Sequence, residues 1–139
     1  MKILLYYVGK PRDRNANALS EEFIRRANRF AHCEMREIQP ARFDPWAKHP
    51  SAAKILLDPA GKSMDSGQFA KMVERAGLEA RDLIFLVGGA SGLPDSWRKN
   101  EATLLSVSSM TLPHELARVI LAEQIYRAFT MLRGHPYPK

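Results

Sequence analysis

Three apolar runs punctuate the chain, and each is closed by turn residues. Lys2 to Val8 is aliphatic and aromatic and ends at Gly9-Lys10-Pro11, the pattern of a buried strand followed by a turn. Ile55-Leu56-Leu57-Asp58 is a shorter run that meets Pro59-Ala60-Gly61-Lys62, which is read as a turn. Leu83-Ile84-Phe85-Leu86-Val87 is apolar at every position, the mark of a strand covered on both faces in a parallel sheet. Gly88-Gly89-Ala90-Ser91-Gly92 is then the loop at its C-terminal end.

Helical periodicity fills the intervals. Ser20 as N-cap, Glu21 and Glu22 in a first turn, and Phe23, Ile24, Ala27 and Phe30 at helical spacing predict a helix over about residues 20–31. Residues 33–38 read as a short strand, and residues 39–50, with Pro40, Pro45 and Pro50 and no periodicity, as a loop. Asp65 with Gln68 resembles a capping box; Phe69, Met72, Val73 and Ala76 form one apolar face, and Gly77 suits the stop. A helix near residues 95–101, a strand near 104–107 and a long final helix complete an alternating β/α order.

The final helix is apolar on two sides. At about 100° per residue, Ala117, Leu121, Ile125, Ala128 and Leu132 line one side, while Leu116, Val119 and Ile120 lie nearly opposite, beside Glu123 and Arg127. One core does not cover both. Burying a Leu or Ile side chain stabilises by about 1.5–3 kcal/mol, so the second stripe is expected to meet a second subunit, with Glu123 and Arg127 at or near that contact. The competing reading is a helix sandwiched within one subunit.

The 139 residues suit one domain, 1–139, with a core that needs neither disulfide nor metal. A net charge of +6 makes an anionic partner reasonable. The excess is spread over Lys10, Arg12, Arg14, Arg25, Arg26, Arg29, Arg36 and Arg42 rather than one block, and nucleic-acid binding and a merely solvated basic surface fit it equally. Cys33 is the single cysteine, which excludes a disulfide framework within the chain and fits the cytoplasm. The N-terminal apolar run, about six residues, is shorter than a signal-peptide core and lacks a cleavage site. No membrane span is expected.

Candidate chemistry sits at the strand ends. In open parallel sheets ligands bind beyond the carboxyl ends of the strands, and three segments follow strands here: Leu57-Asp58, Gly88-Gly89 and Val107 to Leu112. Their convergence on one pocket is the functional reading; tight turns are the plain one. Neither G-x-G-x-x-G nor the P-loop pattern is present, and Ser91 lacks the G-x-S-x-G frame of a hydrolase nucleophile. His32, His49, His114 and His135 have no metal-ligand spacing, so no metal is expected. A histidine placed like His114, at a helix start, more often caps or packs than catalyses, whereas His135 beside Tyr137 suits stacking on or hydrogen bonding to a base. Trp46 and Trp97 read as packing residues, and Glu123/Arg127 by itself as an ordinary helical pair.

Four segments carry a resemblance: VGK at Val8 to Lys10, LD-x-x-GK at Leu57 to Lys62, GG-x-x-GL at Gly88 to Leu93, and S-x-M-TLPH-x-x-x-R-V-x-L-x-EQ-x-YRA running on to HPY. In these the chain resembles the ribosomal RNA large subunit methyltransferase H family, small enzymes of the SPOUT class. The resemblance implies a doubly wound α/β parallel sheet with a C-terminal trefoil knot. It also implies a homodimer that transfers a methyl group from S-adenosylmethionine to N3 of a pseudouridine in 23S rRNA on the assembled ribosome. By the same resemblance Leu57, Gly88 and the segment Val107, Ser108, Ser109, Met110, Thr111 and Leu112 would hold the cofactor. Arg127, Tyr137 and His135 would reach the target base across the dimer. Two departures stand out: Pro138 replaces the second His of the family's HPYH ending, and residues 47–54 are shorter than the family's insert. A second functional reading is a ribosome-associated or nucleotide-binding module that keeps the pocket without transfer chemistry.

Overall fold

The computed structural model describes residues 1–137, so Pro138 and Lys139, including the departure at the family's HPYH ending, lie outside it. The elements follow in the order β1 (Lys2–Val8), α1 (Arg14–Ala27), β2 (His32–Ile38), a 3-10 turn (Pro40–Arg42), α2 (Pro45–Lys48), β3 (Ala53–Ser63), α3 (Ser66–Leu78), β4 (Leu83–Val87), α4 (Asp95–Arg98), β5 (Thr103–Ser106) and α5 (His114–Leu132). The strands form one five-stranded sheet in the order β2-β1-β4-β3-β5, with every pairing parallel. Both faces are covered. Ile3, Leu5, Tyr7, Leu83, Phe85 and Val87 meet α1, α3 and α5, while Leu4, Tyr6, Ile84 and Leu86 meet a thinner layer holding Phe43, Trp46, Leu93 and Trp97. This is the doubly wound arrangement, and β4 at its centre is buried at every residue.

Phe85 is fully buried and its ring lies 5.8 Å from that of Phe69 on α3. Phe85→Ala is therefore expected to cost about 3–5 kcal/mol. Urea unfolding followed by circular dichroism reads this as a lower midpoint at unchanged slope.

Several boundaries differ from the expectations. Helix α1 starts six residues earlier than Ser20, because Asp13 is the N-cap and accepts from the Ala16 N–H at 3.0 Å. The stretch after Asp13 is mostly polar and hides its first turns, and Ser20 is instead a fully buried residue inside the helix. The helix ends at Ala27, leaving Phe30 in the turn that follows. Two short helical turns occupy the supposed loop 39–50, each with proline at its start, where a missing N–H costs nothing. The capping box is present as expected, with Asp65 accepting from the Gln68 N–H and Gln68 from the Asp65 N–H. Helix α3 runs past Gly77 to Leu78, and the left-handed turn falls on Ala80, at φ 52°.

The turn expected at 59–62 is a bulge. Strand β3 pairs with β5 at Leu57↔Leu105 and again at Lys62↔Leu105, so Asp58 to Gly61 loop out. Gly61 allows this, because a Cβ there would sit 2.6 Å from the Leu104 carbonyl carbon. Asp58 heads the loop and accepts from the Ala60 N–H at 2.9 Å.

Helix α5 lies between α1 and α3, which widens its buried arc beyond one stripe. Leu121, Ile125 and Ala128 are buried as expected; so is Val119, assigned from periodicity to the opposite side. Leu132, assigned to the inner side, is 36% exposed at the helix end. What stays open is a narrower strip, Leu116, Ile120, Arg127 and Met131, with Leu116 at 45% and Met131 at 40% exposure. No helix among the described residues is long and apolar enough to cross a membrane.

Candidate cofactor cleft and the arginine-tyrosine cluster

Because β4, β3 and β5 are neighbours, the chain segments that leave them emerge side by side. They enclose a cleft of about 530 Å³. Its lining includes Leu57 and Asp58 after the core of β3, Gly88 to Leu93 after β4, and Val107, Ser108, Met110, Thr111 and Leu112 after β5. The first turns of α5 add His114 and Ala117. Of the residues expected to hold a cofactor, only Ser109 does not line the cleft. Aliphatic walls are joined by polar groups from loop backbone, from serine and threonine hydroxyls and from Asp58, Arg98 and His114, a setting suited to a flat heterocycle read at its edges.

Side chains set the shape of the loop after β5. The Ser106 hydroxyl donates to the Ser108 carbonyl at 2.7 Å, and the Ser108 hydroxyl accepts from the Met110 N–H at 2.9 Å. Met110 is left 77% exposed at the rim. The loop after β4 is pinned differently: the Gly92 N–H donates to the Gly89 carbonyl at 2.9 Å, and Gly92 sits at φ +76°. At Gly88 the missing side chain faces the same loop, since a Cβ there would lie 2.7 Å from the Gly92 carbonyl carbon and 2.9 Å from Leu93 N. His114, expected to cap or pack, is exposed at the cleft edge.

The start of α5 is tied to the loop after β1. Glu115 accepts from the Arg12 and Asp13 N–H groups at 2.6 and 2.8 Å, and these bonds hold its carboxyl below the usual range. Arg118, nearly fully buried, stacks on the Tyr7 ring at 3.9 Å and donates to the Asn17 side chain at 3.2 Å. Neither role is readable from spacing alone.

Arg127, Tyr137 and His135 do not line the cleft. Ten residues separate Ala117 from Arg127, about 15 Å along the helix axis. There Glu123 acts as a hub: Arg127 donates through Nε and a terminal nitrogen at 3.1 and 2.8 Å, and the Tyr137 hydroxyl donates to the same oxygen at 2.7 Å. The Arg127 guanidinium also lies 5.4 Å from the Tyr137 ring. His135 plays a supporting part, its Nδ1 accepting from the Tyr137 N–H at 3.1 Å while its ring meets Phe30 edge-on. The helical pair is thus part of a three-residue cluster closed by the C-terminal tail, which helix periodicity does not reveal.

Burial, followed by the bond to Glu123, pushes the Tyr137 hydroxyl up to about 12. It is protonated and donating at neutral pH. Burial raises Tyr6 and Tyr7 as well, so the check is a difference: ultraviolet titration of the unaltered protein should contain a tyrosine component ionising at about 12 that belongs to Tyr137. That component should vanish in Tyr137→Phe; a Tyr137 titrating at the ordinary value would contradict the cluster.

Among the described residues no group of three or more His, Cys, Asp or Glu lies together to hold a metal ion. Comparison with known proteins agrees with the fold. A family model described as predicted SPOUT methyltransferase matches residues 1–138. A protein of Solibacter usitatus named ribosomal RNA large subunit methyltransferase H is 60% identical over 137 residues, covering 99% of both chains. One of the same name from Sorangium cellulosum is 38% identical, again over 99% of both. Among solved structures, a probable methylase family protein from Haemophilus influenzae superposes with a TM-score of 0.64 at 10% identity, covering 99% of this chain and 70% of that one. A putative methyltransferase from Legionella pneumophila, solved with bound S-adenosylmethionine, gives 0.56 at 12% identity, covering 92% and 66%. With a family match over nearly its whole length and a parallel sheet whose strand ends build one cleft, the chain belongs to the SPOUT methyltransferase family.

Proposed function

We propose that the protein is a cytoplasmic, homodimeric methyltransferase of one domain, residues 1–139, that methylates N3 of a pseudouridine in 23S rRNA of the assembled ribosome with S-adenosylmethionine. The names of its full-length relatives support the reaction. The observation that carries the reading is the separation of two half-sites on one helix: a cleft at the start of α5 and the Glu123–Arg127–Tyr137 cluster far along it. A second copy laid along the open strip of Leu116, Ile120 and Met131 brings one copy's cluster to the other's cleft. The trefoil passage belongs to the same proposal. It is supported by the out-of-order strands β4-β3-β5 and by the way the segments after β4 and β5 close on one cleft.

The residues fit the cofactor. Leu57, Val87, Leu105, Val107 and Leu112 offer apolar walls for the adenine ring, and the loop backbones offer groups for its edge. Bound there, S-adenosylmethionine supplies an electrophilic methyl group on a sulfonium. The chain's own part is positioning. The target nitrogen must lose its proton and align with that methyl, and holding two reactants in such geometry supplies a large share of the rate. Arg127, fixed by Glu123 in a fork, presents its remaining N–H groups to the base or its phosphate. Tyr137 offers its ring for stacking, and His135 orders the tail that carries it.

The test is incubation with labelled S-adenosylmethionine and ribosomes that lack the modification. Label is expected in large-subunit rRNA, at one pseudouridine. Cofactor binding without label would favour the module that only binds.

A further inference from the structure

Among the described residues lining the cleft, the ionisable side chains are Asp58, Arg98 and His114, and the first two form a pair. Arg98, at the C-terminal end of α4, reaches strand β3, where its Nε lies 3.0 Å from Asp58 Oδ2. Asp58 is buried and its other oxygen accepts from the Ala60 N–H, so the carboxylate is a fixed anchor. Arg98 itself is exposed, with 40% of its side chain accessible. One terminal nitrogen is 3.8 Å from the exposed Asp95; the other lies against Gly92, 3.5 Å from where a Cβ would stand. Among the described residues that second nitrogen takes part in neither ion pair of Arg98. The guanidinium is therefore held at the cleft wall through Nε, with one terminal nitrogen toward Asp95 and the other beside Gly92, itself a lining residue.

On the reading that this cleft takes S-adenosylmethionine, the ligand has one apolar heterocyclic end and one amino-acid end with a free carboxylate. The aliphatic walls of the cleft match the first. A guanidinium stays charged at every physiological pH and its fork fits a carboxylate with two parallel bonds. We infer that Arg98, positioned by Asp58, is the residue that binds the carboxylate of the cofactor's amino-acid end. It thereby selects the intact amino-acid-bearing cofactor over adenosyl compounds that lack the carboxylate. Nothing in the apolar pattern around residue 98 announces this, because the pair is made only when α4 folds back over the bulge of β3.

Calorimetry with S-adenosylmethionine and with its decarboxylated form separates this role from a structural one, because the two ligands differ only in the carboxylate. The unaltered protein should bind the intact cofactor more tightly. Arg98→Gln should weaken the intact cofactor about 10- to 100-fold and leave the decarboxylated ligand bound no more weakly. Arg98→Lys should recover part of the preference, as a point charge without the fork. Asp58→Asn should reduce the preference less, by freeing the guanidinium. Equal weakening of both ligands in Arg98→Gln, or no weakening of either, would overturn the assignment while leaving the cleft intact. Failure of the unaltered protein to bind either ligand would overturn the assignment and the cleft together.

Discussion

Arg127→Ala is expected to leave a folded dimer that binds S-adenosylmethionine with unchanged affinity and has lost methyl transfer by about 100-fold or more, the usual effect of deleting one positioned donor. The reasoning is geometric. Arg127 is outside the cleft of its own copy, and toward the partner's cleft it is offered to the target base rather than to the cofactor. Its guanidinium is built into a cluster with Glu123 and Tyr137 rather than into the core, and 30% of its side chain is exposed, so truncation leaves the packing of α5 in place. Calorimetry, gel filtration and single-turnover labelling of rRNA together check the three parts. Retained turnover would remove Arg127 from the site, and lost dimerisation would make it an interface residue instead.

Gly88→Val is expected to weaken cofactor binding by at least about 100-fold, or ~2.8 kcal/mol. The cause is within the loop. The added Cβ would stand 2.7 Å from Gly92 and 2.9 Å from Leu93, all backbone atoms, so no flexible side chain can give way. The turn closed by the Gly92 to Gly89 hydrogen bond must open, and with it one wall of the cleft. Since the clash is with the loop backbone and Leu83–Val87 is buried at every residue, the sheet is expected to persist. Calorimetry should show no measurable binding while circular dichroism stays native. Unchanged affinity would exclude this loop from the cofactor site.

Sequence pattern revealed most where one physical demand dominated a stretch. The unbroken apolar run 83–87 admits no polar face, and it is the central strand. Asp65 and Gln68 satisfy each other's backbone N–H at fixed spacing, so their box was legible. Where two demands competed, pattern misled. The polar first turns of α1 concealed a start that only Asp13 marks, and Pro59 to Lys62 has turn composition although its two ends rejoin the same strand. The site divides the same way. The three strand-end segments were identifiable because their motifs are contiguous, apart from Ser109, which lies off the cleft. Arg98, Arg118 and the Tyr137 to Glu123 bond join residues far apart in the chain, and no local spacing encodes them.

The most direct test of a shared site uses the two disabled proteins together. Co-expression of Gly88→Val and Arg127→Ala chains with different tags, followed by tandem purification, gives dimers holding one of each. If one copy's cluster serves the other's cleft, each mixed dimer has one site with both halves intact and one with neither, and labelling should recover about half the unaltered rate. If cleft and cluster served each other within a single copy, both sites of the mixed dimer would be broken, and labelling no higher than that of either parent would refute the arrangement.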